Sequence, residues 1–496
     1  MASTKADPRA VTPGETPPAD RAGRVETHGI DFIPDSERHG RARDLFAVWA
    51  APNVSYLALV VGGALILMGL SFWQALAVIV VGNLFSILTG IVAASGPASG
   101  TPSEVITRAI FGIRGNRVNI LVTSWFISVC YLALNWAAAS YTAFRLVERF
   151  GIDATTPVKV VVILAIAAVT LAIGVYGHAT IVRLYQPLAL VLTSIFVVMA
   201  GYVLGNADWG YQPAEALHGI GLWATVAAGV SIVASAPLSY TNSADFARYL
   251  PATTSPVSVA VWTALGAFVP SVLFTALGAL AGTGLDMADP QIALETILPA
   301  WFTPIFLLAV IVGTIANNAM TAYSSGLALQ SVGLRLRRSR SVLLDGSMGV
   351  AMTLYALLVS NFLDTVSNMM QLVVTVMGPV MAVYVADVLW RRNRYDGLEL
   401  GNETSSSPYW YSGGINWAGT VAVFTGIAAA AVCVAAPVYN GPIANAVGGV
   451  DLSLPVGLIV SAALYVVLMR SYRTRRSTVI DRHTALFTPA TQQGPR

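Results

Sequence analysis

A chain of 496 residues that is 55% hydrophobic and 11% charged, with a mean hydropathy of +0.67, is far more apolar than soluble domains, which carry about 25% charged residues. The net charge of +3 gives no footing for nucleic-acid binding. The two cysteines, Cys130 and Cys433, lie in apolar runs without neighbouring His or Cys, which argues against a zinc site or a disulfide framework and leaves packed core thiols as the plain reading.

The lead from Met1 to Asp44, rich in Pro, Ala, Arg and acidic residues, cannot bury a core and is expected to be mostly disordered. The first strongly apolar run starts near Leu45 after this long polar lead, so a cleavable signal peptide is not expected. Twelve apolar runs follow, each long enough to cross a bilayer as a helix that satisfies its own backbone. They fall near Phe46 to Leu70, Trp73 to Ala94, Val118 to Leu146, Val158 to Tyr176, Leu184 to Leu204 and Gly219 to Thr241. The second set falls near Val257 to Gly282, Phe302 to Val332, Val342 to Val359, Val366 to Trp390, Trp417 to Ala436 and Leu454 to Met469. The expectation is therefore an all-α membrane protein of about twelve transmembrane helices, with a membrane domain over 45–470 and a tail over 471–496.

Arginine placement orients these spans. Arg38, Arg41 and Arg43 precede the first; Arg108, Arg114 and Arg117 follow the second, Arg183 the fourth and Arg248 the sixth. Arg335, Arg337, Arg338 and Arg340 follow the eighth, Arg391, Arg392 and Arg394 the tenth, and Arg470, Arg473, Arg475 and Arg476 the last. Most opposite gaps are acidic or neutral; Arg145, Arg149 and Lys159 in the third-to-fourth gap are the exception. Positive charge stays on the cytoplasmic side of short loops, so both termini are expected in the cytoplasm, with an even number of spans in the cell membrane.

The first and sixth spans carry interruptions. Pro52 and Asn53 stand near the start of the first, with Gly62 and Gly63 beyond. The sixth holds Ala234-Ser235-Ala236-Pro237-Leu238-Ser239, then Tyr240, Thr241 and Asn242. Proline removes a helix donor and glycine lowers helix propensity. Two readings fit: ordinary proline kinks, or matched broken helices of two inverted five-span repeats flanking a central binding site.

Polar side chains far from span ends are candidate site residues. In the eighth span Thr314, Asn317, Asn318 and Thr321 are three or four apart and share a face. In the third, Tyr131 and Asn135 stand at i, i+4 beside Trp136, pairing stacking area with an amide that both donates and accepts. Routine hydrogen bonding between helices is the plain alternative for each. No Asp, Glu, Lys or Arg lies near the centre of any span, which favours a neutral, weakly polar solute and leaves no buried carboxylate relay for protons. Na⁺ held by backbone carbonyls and the Thr314 hydroxyl is the expected coupling ion, with H⁺ as the alternative through Asp245 or His178.

Several stretches resemble the purine-cytosine permeases of the nucleobase:cation symporter family. These are Glu26-Thr27-His28-Gly29-Ile30-Asp31-Phe32-Ile33-Pro34 with Glu37-Arg38, Gly96-Pro97 with Gly100-Thr101-Pro102, and Arg108-Ala109-Ile110-Phe111-Gly112. Ala244-Asp245-Phe246-Ala247-Arg248-Tyr249-Leu250-Pro251, Tyr323-Ser324-Ser325-Gly326-Leu327, and Asp387 with Arg391 and Arg392 complete the set. The resemblance implies a five-plus-five inverted repeat with broken first and sixth helices plus two C-terminal helices, working by alternating access. It implies a solute stacked on aromatics of the third and sixth spans and bonded to amides of the third and eighth. Carried over by position, these are Tyr131, Asn135 and Asn317 or Asn318. Gly313 and Thr314, with carbonyls around Pro52, Asn53, Ser55 and Tyr56, would hold sodium. Tyr131 stands where tryptophan is usual, glycine replaces a common hydroxyl at the sodium position, and Ser235-Ala236 replaces the sixth-span aromatic unless Tyr240 or Trp136 serves.

The expected function is import of a nucleobase or related heterocycle, cytosine or a purine, by cation symport. A transporter of allantoin, a hydantoin or an amino acid on the same fold is the nearest alternative, and a passive channel is a third reading. A membrane-embedded enzyme lacks a nucleophile with a base, paired intramembrane carboxylates or metal-ligand spacing.

Overall fold

The computed structural model describes residues 23, 26, 28–334, 336, 338–358, 362–436 and 439–486. The expectations for Met1 to Ala22, and for the side chains of Arg337, Arg338, Arg473, Arg475 and Arg476, lie outside what is described, as does Arg335. Among the described residues the chain is helical, with two isolated β-bridges and no strand.

Among the described residues ten helices are long and apolar enough to cross a membrane. An eleventh span comes from the pair Asp44–Asn53 and Tyr56–Leu67, bent by 56° at their junction, and a shorter apolar helix, Trp417–Ala431, completes the expected twelve. In chain order the bent pair is the first span. Phe72–Ser99, Ile113–Arg149, Thr156–Tyr176, His178–Asn206 and Gly219–Ala247 are the second to sixth. Pro256–Gly284, Thr303–Val332, Arg340–Leu358, Val373–Trp390, Trp417–Ala431 and Ser453–Ser471 are the seventh to twelfth.

Local chemistry sets the boundaries. A capping box between Ser71 and Gln74 starts the second span. The fourth ends and the fifth begins across Gly177, whose φ of +89° suits a residue without a Cβ. The third opens as an α-helix over Ile113–Ile120 and then widens into a π-helical turn at Leu121–Phe126, a feature that recurs at functional sites.

Both expected interruptions are present, each displaced from its proline. In the first span Pro52 stays helical and the break falls at Val54 and Ser55, where Leu57 N–H turns to Ser55 Oγ and Ala58 N–H to Ser55 O. The carbonyls of Asn53 and Val54 thereby lose the partners that an unbroken helix would give them. In the sixth, the helix continues through Pro237 to Ser239 and opens at Tyr240 to Ser243 before one last turn, Ala244–Ala247.

The seventh span embraces the first and second, the third packs on the eighth and ninth, and the last two lie against the tenth. Small residues allow the closest approach: a Cβ on Gly62 would fall 1.9 Å from Thr275 O, and one on Gly278 2.1 Å from Leu59 O. The first and seventh spans therefore meet backbone to backbone, as small-residue packing in lipid requires. Large apolar side chains such as Trp73, Leu190, Val257 and Phe424 point outward, as lipid contact demands.

Within the expected polar lead, the stretch from His28 onward lies against the bundle at its arginine-rich end. His28 Nε2 and Glu37 Oε2 are 2.8 Å apart, Ile33 is wholly buried, and Arg38 donates to Pro97 O at 2.8 Å.

Candidate substrate site

A cavity of about 120 Å³ lies at the first-span break, between the first, third, sixth and eighth spans. Its lining includes Trp49, Pro52, Asn53, Ser55, Tyr131, Asn135, Ser235, Ala236, Tyr240, Asn242 and Asn317, and no Asp, Glu, Lys, Arg or His.

Of the residues singled out from sequence, Pro52, Asn53, Ser55, Tyr131, Asn135, Ser235, Ala236, Tyr240, Asn317 and Thr321 thus share one cavity. Asn135 is set by its neighbour on the eighth helix: Asn135 Nδ2 donates to Asn318 Oδ1 at 2.9 Å, and Asn318 Nδ2 donates to Leu132 O at 2.9 Å. Asn318 itself lies behind the lining and is fully buried. Asn317, one residue earlier, faces the cavity.

Trp136 also stands away from the lining. Its Nε1–H donates to Thr170 Oγ1 at 3.1 Å, and its ring packs with Leu132, Ala139 and Ile166. Consecutive residues on a helix point about 100° apart, and here Asn135 turns to the cavity while Trp136 turns to the fourth span.

Asn53 is committed to architecture. Its Oδ1 accepts from Tyr240 OH at 3.2 Å and Ser271 Oγ at 2.9 Å, while Nδ2 donates to Trp49 O at 2.7 Å. One amide therefore ties the first, sixth and seventh spans together. Ser235 Oγ donates back to Ile232 O at 2.6 Å, leaving Ala236 and the aromatic face of Tyr240 as the sixth-span surface. Tyr240 packs at 4.8 Å between ring centroids against Trp49.

Three buried polar groups in this lining lack good partners among the described residues. Trp49 Nε1–H is a donor, Asn242 Oδ1 an acceptor, and Tyr131 OH can be either; Tyr131 lies beside Ser239 without good hydrogen-bond geometry. Leaving such a group unsatisfied costs about 1–3 kcal/mol, so these three are the lining groups with bonding capacity to offer a polar solute or water. Trp49 escaped the sequence reading, although its i, i+4 spacing from Asn53 places both on one face.

Of the cation candidates, Gly313 faces the break: a Cβ there would stand 3.2 Å from Val54 O. Thr314 is buried and its Oγ1–H donates to Val310 O at 2.8 Å, which leaves its lone pairs as acceptors. Ser55 supplies the N-cap of the second half-helix, and Tyr56 is buried in an apolar cluster with Val54, Leu192 and Phe306. Hard cations favour oxygen donors, and carbonyls freed at a helix break offer them. Among the described residues no group of three His, Cys, Asp or Glu could hold a metal.

Toward the arginine-rich end the polar chemistry is dense. Glu26 Oε1 accepts from Tyr249 OH at 2.7 Å, Arg248 Nη2 at 3.1 Å and Tyr323 OH at 3.2 Å. Glu26 Oε2 accepts from His178 N at 2.9 Å, and Arg248 Nη1 donates to Gly29 O at 2.7 Å. The sequence reading named Asp245 as a proton alternative but missed Glu104, which is buried beside it just beyond the cavity; the two are distant in sequence, and no local spacing signals their meeting.

A broken first helix, small-residue contacts with the seventh, and an uncharged cavity flanked by the third and eighth define a multi-pass membrane transporter of the inverted-repeat class. Comparison with solved structures agrees. The chain superposes on the nucleobase-cation-symport-1 family transporter Mhp1, closed with bromovinylhydantoin bound, with a TM-score of 0.73 and 18% identity over 92% of this chain and 95% of that one. A Na⁺-coupled sialic acid symporter matches with a TM-score of 0.56 and 11% identity over 87% and 90% of the two chains.

The chain belongs to the family of permeases for cytosine/purines, uracil, thiamine and allantoin, whose model matches residues 32–457. It is 29% identical to YxlA of Bacillus subtilis, a purine-cytosine permease homologue, over 93% of this chain and all of that one. It is 25% identical to the cytosine permease of Escherichia coli K12 over 73% and 79%, and 24% identical to the allantoin permease of Bacillus subtilis over 91% and 94%.

Proposed function

We propose that this protein imports a nucleobase or closely related small heterocycle by cation symport and alternating access. The observation that carries the reading is a trio in the cavity wall without hydrogen-bond partners among the described residues, Trp49 N–H, Tyr131 OH and Asn242 Oδ1, beside the Asn135 and Asn317 amides and aromatic rings, in a lining that holds no charged side chain among those residues. A flat uncharged ring with alternating donors and acceptors satisfies such a wall, and its faces stack on Trp49, Tyr131 or Tyr240. The relatives' names support the class of solute, cytosine, purine and allantoin being the ligands they carry.

The coupling cation in this reading is Na⁺, bound by the carbonyls of Asn53 and Val54 and the Thr314 hydroxyl across from Gly313. The reading is supported by Val54 O standing against Gly313 of the eighth helix, one residue before the buried Thr314 hydroxyl, whose lone pairs remain as acceptors. Coupling equals the ion's difference in affinity between access states. The arginine-rich end faces the cytoplasm of the cell membrane, on the positive-inside rule.

Uptake of a labelled panel of cytosine, adenine, hypoxanthine, uracil, allantoin and amino acids by a transport-deficient cell, with and without a sodium gradient, tests this. Saturable accumulation of one heterocycle that collapses with the gradient is expected; accumulation of amino acids alone would defeat the solute assignment. Thr314→Ala should blunt the sodium response, and an unaltered response would remove the ion from this position.

A further inference from the structure

Glu104 lies in the short segment between the second and third spans, and Asp245 in the last turn of the sixth; each is at most 1% exposed. Asp245 has its donors: Ser103 N–H reaches Oδ1 at 2.8 Å and Ser324 Oγ reaches Oδ2 at 2.6 Å. Glu104 Oε1 accepts from Ser124 Oγ at 3.1 Å, but its Oε2 has no donor among the described residues. The two carboxyls come together because Ser103, the residue before Glu104, is held on Asp245. Two carboxylates buried side by side repel, and one proton on the pair relieves that cost. Asp245 is already fixed as an acceptor on both oxygens, so Glu104, whose Oε2 has no donor among the described residues, is the group that carries it.

The surroundings favour one proton rather than two bare charges. The nearest cation, Arg248, is committed to Glu26, Gly29 O and Tyr323 OH, while the remaining neighbours are neutral. From the eighth span these are Ser324 and Ser331, the latter donating to Glu104 O; from the tenth, Tyr384; from the third, Asn116 and Ser124. Arg108, on the turn that follows, is spent on Leu400 O and Glu403. Burial, with the Asp245 carboxyl close by, pushes the Glu104 carboxyl well above the usual range.

Ser124 connects this pair to the solute. It lines the cavity while its hydroxyl holds Glu104 Oε1, on the π-helical turn within the third span. Opening this end would part the second-to-third segment from the sixth and eighth spans and let water reach both carboxyls.

We propose that Glu104 and Asp245 form a proton-binding site that is filled while the arginine-rich end of the cavity is closed and empties as that end opens. The pair separates on opening, each carboxyl is hydrated, and the proton on Glu104 leaves to the water that enters. This deepens the transport reading and rests on it only for the opening step. The linkage has a fixed sign: higher pH on the arginine-rich side favours the open state, by at most about tenfold per pH unit for one proton.

The first experiment is infrared spectroscopy of the purified protein in lipid nanodiscs across pH, without solute. A protonated-carboxyl stretch that persists at neutral pH is expected, lost in Glu104→Gln and kept in Asp345→Asn, which removes another buried carboxyl nearby. Absence of the band in the unaltered protein, or its loss in Asp345→Asn alone, overturns the proposal whether or not Glu104→Gln folds. The second is uptake into proteoliposomes while the pH on the arginine-rich side is varied. The unaltered protein should respond severalfold per unit and Glu104→Gln should be flat; retention of the full response by Glu104→Gln overturns it. The spectroscopic arm needs no solute, so a failed nucleobase assignment leaves it intact.

Discussion

The eighth helix passes through two regions that treat buried polar atoms in opposite ways. Around Tyr323 and Ser324 the groups are engaged: Tyr323 OH sits 3.0 Å from Arg248 Nη2 and 3.2 Å from Glu26, and Ser324 holds Asp245 at 2.6 Å. Two turns earlier, around Asn317, the neighbouring cavity leaves Trp49, Tyr131 and Asn242 with unmet capacity. Dense bonding across several spans holds an end shut, whereas bonding capacity left in a cavity wall prepares a surface for something that comes and goes. A transporter needs both within one helix length.

The largest expected effect is at the densely bonded end. Arg248→Ala breaks the buried ion pair with Glu26 and should cost about 3–5 kcal/mol of stability. Thermal unfolding in detergent checks this, and an unchanged midpoint would mean that the knot does not hold that end. Arg248→Lys should recover only part, since it loses the two-pronged reach to Gly29 O and Glu26.

At the cavity, Asn135→Ala should weaken solute affinity by about tenfold, equivalent to roughly 1.4 kcal/mol. Asn318→Ala should weaken it less, because Asn318 acts by holding Asn135. The double variant should cost less than the sum, as expected of groups in one network. Equilibrium binding on all three decides, and strict additivity would detach Asn318 from the site.

Trp49→Phe removes an N–H while keeping an aromatic face. One hydrogen bond of about 0.5–1.5 kcal/mol makes the expected loss of affinity about two- to twelvefold, with stability little changed because that N–H has no partner among the described residues. Trp136→Phe is the converse and smallest case for solute. It should leave affinity unaltered and cost about 1 kcal/mol of stability through the lost bond to Thr170. A drop in affinity there, without loss of stability, would dissolve the distinction between the two tryptophans.

The span architecture was legible because lipid imposes it: apolar length and arginine placement need no tertiary knowledge. The breaks were legible only to within a few residues. Pro52 and Pro237 announce them, yet both remain helical, since the chain can yield where Ser55 or the Tyr240 turn offers alternative partners. Asn135 was readable from its spacing with Tyr131, but the choice between Asn317 and Asn318 was not, because their orientation depends on how the eighth helix is rotated against the third. Trp49, Asn242 and the pairing of Glu104 with Asp245 arise where distant segments meet. Residue 104 and residue 245 share no local pattern, and only the assembled bundle brings them together.

The glycine contact between the first and seventh spans carries a mechanical consequence. Where Gly62 abuts Thr275 O and Gly278 abuts Leu59 O, no side chain stands between the two backbones to change rotamer and absorb relative sliding. Displacement along that seam drives peptide groups into one another, so the two segments travel as a single strut, and the hinge must lie outside the seam.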